Sequence, residues 1–273
     1  MSTLIDPTAK IHPSCVIEEG ARIGADCQIG PFCHVGPDVT LKRGVELKSH
    51  VVIAGQTEIG EETTVFPFAS LGQIPQDLKF KGEKTQLVIG ARNRIREYVT
   101  MNSGTEGGGG VTRIGDDGLF MSSCHIAHDA IIGNRVVIVN SVAVAGHCVV
   151  EDDVIIGGLS GIHQWVRIGR GAIIGALSMV TSDVIPHALV AGPRAGLEGL
   201  NLVGLKRRGT PREQIHALRH LFTALSEGNF RDSARKLSEE GVGAGEDGAL
   251  AKEVLDFILG PSDRSFLTPH KGH

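Results

Sequence analysis

Histidines gather between residues 125 and 163, as His125, His128, His147 and His163 within the runs CHIAHDA, VAGHC and GIHQW. Their spacing is ordered. His128, Gly146 and Gln164 stand eighteen residues apart, and so do Asp129, His147 and Trp165. A chain that completes one turn in eighteen residues stacks these groups on a single edge. A neutral imidazole there can take the proton of an attacking hydroxyl, and a carboxylate beside it fixes the tautomer and stabilises the imidazolium. His128 with Asp129 supplies that pair. The N–H of Gly146, with no side chain to block approach, suits the oxyanion of a tetrahedral intermediate. Acyl transfer to a hydroxyl is the chemistry such an edge can perform. It needs no Ser or Cys nucleophile, because the acceptor can attack an activated thioester directly. A single polar residue on a repeat is more often a solvated face; the convergence of the whole set carries the functional reading.

The regular coil that this stacking requires is written elsewhere in the chain. From Ile5, steps of six give Ile11, Ile17, Ile23, Ile29, Val35, Leu41, Leu47, Ile53, Ile59, Val65 and Leu71. From Ile114 a second series runs through Phe120, Ile126 and Ile132 to Val180. Apolar residues are 41% of the chain, so unbroken agreement at these positions is not chance. Four residues after each ladder position comes a smaller one, such as Ala21, Cys27, Val45, Ala130 or Cys148. A period of six fits neither a helix nor a single strand; it is the mark of a parallel β-helix, three hexads to a coil. Glycine often follows the ladder residue, as at Gly24, Gly30, Gly60, Gly133 and Gly169, where a corner needs an unusual backbone angle or a close approach.

Two stretches leave the pattern. Residues 73–86 form an expected external loop; Ile89 lies eighteen beyond Leu71, so the loop is read as replacing one coil with the register kept. Residues 104–113 contain four consecutive glycines and read as a flexible excursion. The solenoid is expected over 1–193 and a helical domain over 194–273. In the latter, Thr210 caps a helix, with Pro211 in its first turn and Glu213 three residues after the cap. Ile215, Leu218, Leu221, Phe222 and Leu225 follow at helical spacing, with a stop at Gly228. Further helices are expected from Phe230 to Glu239 and from Gly248 to Leu259, the latter striped by Leu250, Val254, Leu255 and Ile258.

Composition bounds the partners. The 273 residues carry a net charge of −4 and only 4% aromatics, which gives no global signal for nucleic acid and suits a narrow prism of aliphatic residues. The N-terminal MSTLIDPTAK has no apolar leader and no run of 18 apolar residues occurs, so a cytoplasmic protein without a membrane span is expected. All five cysteines fall at the small inward position and are read as packing thiols.

The hexads resemble those of the hexapeptide-repeat acyltransferases, whose coils wind left-handed. IPQDLKF, HIAHDA, AGH, IHQ and NLVGLKRRG, in that order, resemble the UDP-N-acetylglucosamine O-acyltransferases of this group over nearly the whole chain. The resemblance implies a mainly β left-handed parallel β-helix with a C-terminal α-helical domain, assembled as a homotrimer with sites between subunits. It implies transfer of an (R)-3-hydroxyacyl group from acyl carrier protein to the sugar 3-hydroxyl, the first step of lipid A biosynthesis, with no metal and no cofactor. It carries over His128 as base, Asp129 as its orienting partner and Gly146 as oxyanion donor. Asp77, Lys79, His125, His147, His163 and Gln164 then bind sugar, diphosphate or acyl chain, while Asn201, Arg207 and Arg208 hold the nucleotide. Paired guanidinium groups suit a diphosphate. Lys79, Lys81, Lys84, Arg92, Arg94, Arg96 and Arg113 form an expected basic region for the acidic carrier protein. Gly175, Ala176 and Met179 are candidates to line the acyl cleft.

Other readings compete. A related N-acyltransferase shares the prism but carries an added N-terminal uridine-binding domain, whereas these hexads begin at residue 5. A zinc lyase of the γ-carbonic-anhydrase type would use His125, His128 and His147 as ligands. A solenoid without catalysis would tolerate loss of His128.

Overall fold

The computed structural model describes residues 4–226, 229–262 and 264–268. The expected helix stop at Gly228 lies outside the described residues. Along the first part of the chain, strands of two residues recur every six, as Arg22–Ile23, Gln28–Ile29 and His34–Val35. Consecutive strands belong to different sheets, so three of them close one triangular coil. The sheets hold nine, eleven and nine strands. Ile23 pairs with Leu41 and Leu41 with Ile59, which is the expected spacing of eighteen. The second residue of each strand points inward: Ile53, Ile59, Leu71, Ile126 and Ile138 are fully buried. Ile5, on a strand at the edge of its sheet, is 46% exposed.

The corners differ from the sequence reading in one respect. Glycines after the ladder residue keep an ordinary φ but meet the next coil: a Cβ on Gly60 would lie 2.4 Å from the Gly90 carbonyl carbon. The left-handed residue comes two positions later, and it is mostly not glycine; Asp129, His147 and Trp165 have φ of 60°, 62° and 66°. Such a conformation costs roughly 1–2 kcal/mol for an L-residue. It is offset where the corner N–H reaches the preceding coil, as from His147 to the His128 carbonyl at 3.1 Å and from Trp165 to that of Gly146 at 3.2 Å.

Register across the breaks also departs from expectation. Leu71 and Ile89 are successive ladder residues on two different sheets, and Ile89 pairs with Ile59, thirty residues back instead of eighteen. The loop therefore adds 30 − 18 = 12 residues to a coil and does not replace one. An insertion of two hexads preserves the period of six while changing the sheet, which is why the ladder alone misassigned it. The second break adds 25 − 18 = 7 residues, since Ile89 pairs with Ile114.

All five cysteines are free. Burial pushes the thiols of Cys124 and Cys148 up to about 12, so both are inert packing groups.

The last sheet strand, Ala188–Ala191, is turned back by an antiparallel strand, Gly196–Leu200. Four helices follow: α1 (Leu202–Arg207), α2 (Arg212–Ser226), α3 (Phe230–Glu239) and α4 (Ala249–Leu259). The short α1 had no sequence signal. Leu218, Leu221, Leu225, Phe230, Val254, Leu255 and Ile258 are buried together between the helices. Arg167 ties them to the prism, its guanidinium 4.4 Å from the Phe257 ring centre and donating to the Phe257 carbonyl at 3.2 Å.

Candidate active site

His128 and Asp129 occupy the corner after the strand His125–Ile126. Both are buried, each 5% exposed. His128 Nδ1 lies 2.8 Å from Asp129 Oδ2. A carboxylate only accepts, so the proton sits on Nδ1 and the lone pair on Nε2. Asp129 is itself fixed: it accepts the Thr105 N–H at 2.8 Å and the Thr105 hydroxyl at 2.6 Å, while its own N–H donates to Thr112 Oγ1 at 2.7 Å.

Thr105 and Thr112 come from the glycine-rich break, which is not the loose excursion expected. A short turn at Glu106–Gly108 wraps Asp129. A Cβ on Gly108 would lie 2.1 Å from Asp129 Cγ, and one on Gly104 2.8 Å from Oδ1. These glycines serve contact with the carboxylate. Only Gly109 and Gly110 of the run need the left-handed backbone, at φ of 97° and 79°.

Gly146 stacks one coil on, as its spacing requires. A Cβ there would lie 2.5 Å from His128 Cε1 and 2.7 Å from Nε2. Among the described residues its N–H has no hydrogen-bond acceptor. A cleft of about 380 Å³ opens here, lined by His125, His128, Gly146, His163 and Gln164 together with Gln76 and the small residues Ala143 and Gly161. Met179 extends it; Gly175 and Ala176 are not in its wall.

Of the remaining candidate histidines, His125 and His163 are in the cleft wall and His147 is not. Thr100 Oγ1 lies 2.8 Å from His125 Nδ1. Burial, with His128 nearby, lowers the pKa of His125. His147 stacks flat on Trp165, ring centres 3.8 Å apart, and meets His128 edge-on at 5.0 Å. Burial lowers its pKa too, against the opposing pull of Asp129 and Asp77. Asp77 and Lys79 belong to the external loop; the Lys79 N–H donates to Asp77 Oδ1 at 2.9 Å, and both charges are felt at His147.

His128, Asp129 and His147 present ligand-type atoms within 4.8 Å of one another. Asp129 Oδ2 is already engaged by the Thr105 hydroxyl and His128 Nδ1, so a cation would have to displace both. His125, expected as a ligand in the lyase reading, is not part of that group.

Not every expected residue converges. Asn201, Arg207 and Arg208 are absent from the wall of the cleft in a single chain. Asn201 caps α1, accepting from the Gly204 N–H at 2.9 Å and donating to the Gly171 carbonyl at 3.0 Å. Arg208 Nη2 lies 3.4 Å from His187 Nδ1, so this group occupies a different edge of the prism from His128.

The arginines of the expected basic region do not all share one face. Arg94 stands on the second sheet and Arg113 on the first, while Arg92 is paired with Asp116 and Asp117 and Arg96 with Glu97. In a coil of eighteen, neighbours in sequence point to different faces. Thr105, Thr112 and Gln76 were missed because column arithmetic cannot place residues inside an insertion, and Thr100 because the second insertion sets it 25 residues before its partner His125 instead of 18.

A three-sided prism of hexapeptides bearing a buried His–Asp pair beside a small-walled cleft defines a hexapeptide transferase. The family model for bacterial transferase hexapeptides matches residues 20–55 and 147–182. The model for UDP-N-acetylglucosamine O-acyltransferase, domain 2, matches 183–267. The acyl-[acyl-carrier-protein]–UDP-N-acetylglucosamine O-acyltransferase of Paracoccus denitrificans is 72% identical over 206 residues, covering 76% of this chain and 77% of that protein. The enzyme of the same name from Rhizobium johnstonii is 46% identical over 100% of this chain and 99% of its own length. The solved UDP-N-acetylglucosamine acyltransferase from Campylobacter jejuni superposes with a TM-score of 0.87 at 38% identity, covering 95% of this chain and 99% of that one. The chain belongs to the UDP-N-acetylglucosamine O-acyltransferase family, and its prism is the left-handed parallel β-helix of that family.

Proposed function

We propose that this protein transfers an (R)-3-hydroxyacyl group from acyl carrier protein to the 3-hydroxyl of UDP-N-acetylglucosamine, the first step of lipid A biosynthesis, in the cytoplasm. The observation that carries the mechanism is the buried Asp129–His128 pair, whose bare Nε2 lies close against Gly146, a residue with an N–H that has no acceptor among the described residues. The sugar hydroxyl loses its proton to His128 Nε2 as its oxygen attacks the thioester carbonyl carbon. The Gly146 N–H donates to the oxyanion. The carbon–sulfur bond then breaks, the imidazolium returns the proton to the departing thiolate, and the products are the O-acyl sugar nucleotide and the free carrier thiol. Asp129 holds the charge on His128 in a site shielded from water.

His125, His147, His163 and Gln164 take substrate groups in the cleft, with Asp77 and Lys79 over it. The small outward residues Ala143 and Gly161 leave room for an acyl chain. Asn201, Arg207 and Arg208 hold the nucleotide from a second subunit, which accounts for their distance from His128 in one chain. A homotrimer supplies that subunit. Phe32, His50, Phe68 and Tyr98 stack in a column along one exposed corner, ring centres about 5 Å apart, a surface better buried against another copy than left in water.

Transfer from a panel of 3-hydroxyacyl carrier proteins to UDP-N-acetylglucosamine, read by the mass of the product, tests the reaction. Turnover with one or more chain lengths is expected; none across the panel would overturn the proposal.

A further inference from the structure

His163 has two partners competing for one ring nitrogen. Its Nδ1 lies 2.8 Å from Arg264 Nη2 and 3.2 Å from the Gln164 carbonyl oxygen. The two contacts demand opposite protonation. A guanidinium has only donors, so the Arg264 contact needs a bare Nδ1; a carbonyl has only a lone pair to offer, so the Gln164 contact needs Nδ1–H. The Arg264 contact is the shorter of the two and is charge-assisted. The proton is thereby placed on Nε2. Since His163 forms part of the cleft wall, we infer that Arg264 is a positioning residue that holds His163 as an Nε2–H donor toward an oxygen of the bound substrate.

The fold invests several bonds in bringing Arg264 there, across 101 residues of sequence. After α4 the chain returns to the prism at Asp183, whose side chain is fully buried. Arg167 donates to Asp183 from its backbone N–H at 2.9 Å and from Nε at 2.8 Å. The Ser262 hydroxyl donates to the same carboxylate at 2.7 Å, and the Arg264 N–H donates to Ser262 Oγ at 3.0 Å. The backbone adds two more links, from the Asp183 N–H to the Ser265 carbonyl at 2.8 Å and from the Leu267 N–H to the Asp183 carbonyl at 2.9 Å. The C-terminal segment is thus pinned on both sides of Arg264. His163 supplies a fixed donor in the cleft wall where His128 supplies a fixed acceptor, and each tautomer is set by a partner that is not part of that wall.

What the donor meets rests on the acyltransferase reading; the tautomer does not. The test is nitrogen-15 NMR of the substrate-free full chain labelled at histidine, with His163→Gln identifying the resonance. Wild type is expected to show protonated Nε2 and bare Nδ1. Arg264→Ala is expected to move the proton to Nδ1, which then bonds the Gln164 carbonyl, and Arg264→Lys to restore the first state. Transfer to UDP-N-acetylglucosamine is expected to fall about tenfold in Arg264→Ala and to recover largely in Arg264→Lys. Protonated Nδ1 in wild type would overturn the inference by itself, even where a variant fails to fold. So would an unchanged tautomer in Arg264→Ala, or a moved proton with unchanged transfer. A wild type that turns over no substrate would instead count against the acyltransferase reading, leaving the tautomer result intact.

Discussion

Gly146 lies against the face of His128 so closely that a single methyl group on its Cα would stand 2.5 Å from the imidazole Cε1. The ring is tied to Asp129 through Nδ1, so a retreat from such a methyl group would strain that bond.

Gly146→Ala is therefore expected to push His128 out of line and to lower turnover by roughly 100-fold or more, in the range seen when an oxyanion contact is lost. Thermal unfolding within a few degrees of wild type would show that the damage is local. Wild-type kinetics in this variant would mean that neither the ring nor the glycine N–H acts as described.

Asp129→Asn keeps the shape but offers His128 an amide in place of a carboxylate, and the imidazole can settle with its proton on the wrong nitrogen. A loss of about 10³ to 10⁴ in kcat is expected, from the size of the same change in other His–carboxylate pairs. Thr105→Val, which removes the 2.6 Å hydroxyl contact to Asp129 and leaves the carboxylate in place, should cost about tenfold. Equal losses in the two variants would contradict the ranking.

Acid should weaken the fold through His125 and His147. Burial is the leading cause that lowers both pKa values. The unfolded chain takes up protons at these residues near pH 6.5 while the native chain still refuses them, so stability falls as pH drops below about 6.5 and is restored above it. Melting temperatures between pH 5 and 7.5 measure the slope. His125→Gln should flatten it; a slope unaffected by that change would assign the effect elsewhere.

The aromatic column offers a test of assembly. Phe68 and Tyr98 are 48% and 57% exposed in one chain, with ring centres 5.1 Å apart. On the proposed homotrimer, Phe68→Glu with Tyr98→Glu should shift the mass in light scattering from trimer toward monomer and lower activity with it. A variant that remains trimeric would place the interface on another corner.

Much of this was legible in the sequence, for a physical reason. In a solenoid, contacts between neighbouring coils occur at a constant offset, so the stacking of His128 with Gly146 and Gln164 followed from counting. Insertions broke the count. The twelve added residues before Gln86 preserved the period and hid a change of sheet, and the seven added before Val111 concealed Thr105 and Thr112, which hold Asp129. Arg264 was beyond reach for another reason: it arrives from the helical segment through Asp183, and no periodic signal links the two. Of the basic run from Lys79 to Arg113, Arg94 and Arg113 stand on different sheets, because closeness in sequence along the coils means separation around the prism.

The most direct test of the central claim is transfer under single-turnover conditions by wild type and His128→Ala side by side, with saturating UDP-N-acetylglucosamine and matched acyl carrier protein. Removal of the base should lower the rate by about 10² to 10⁴ while the sugar nucleotide still binds. Equal rates in the two proteins would contradict the account, because the proton of the attacking hydroxyl would then have to leave by a route that does not pass through His128.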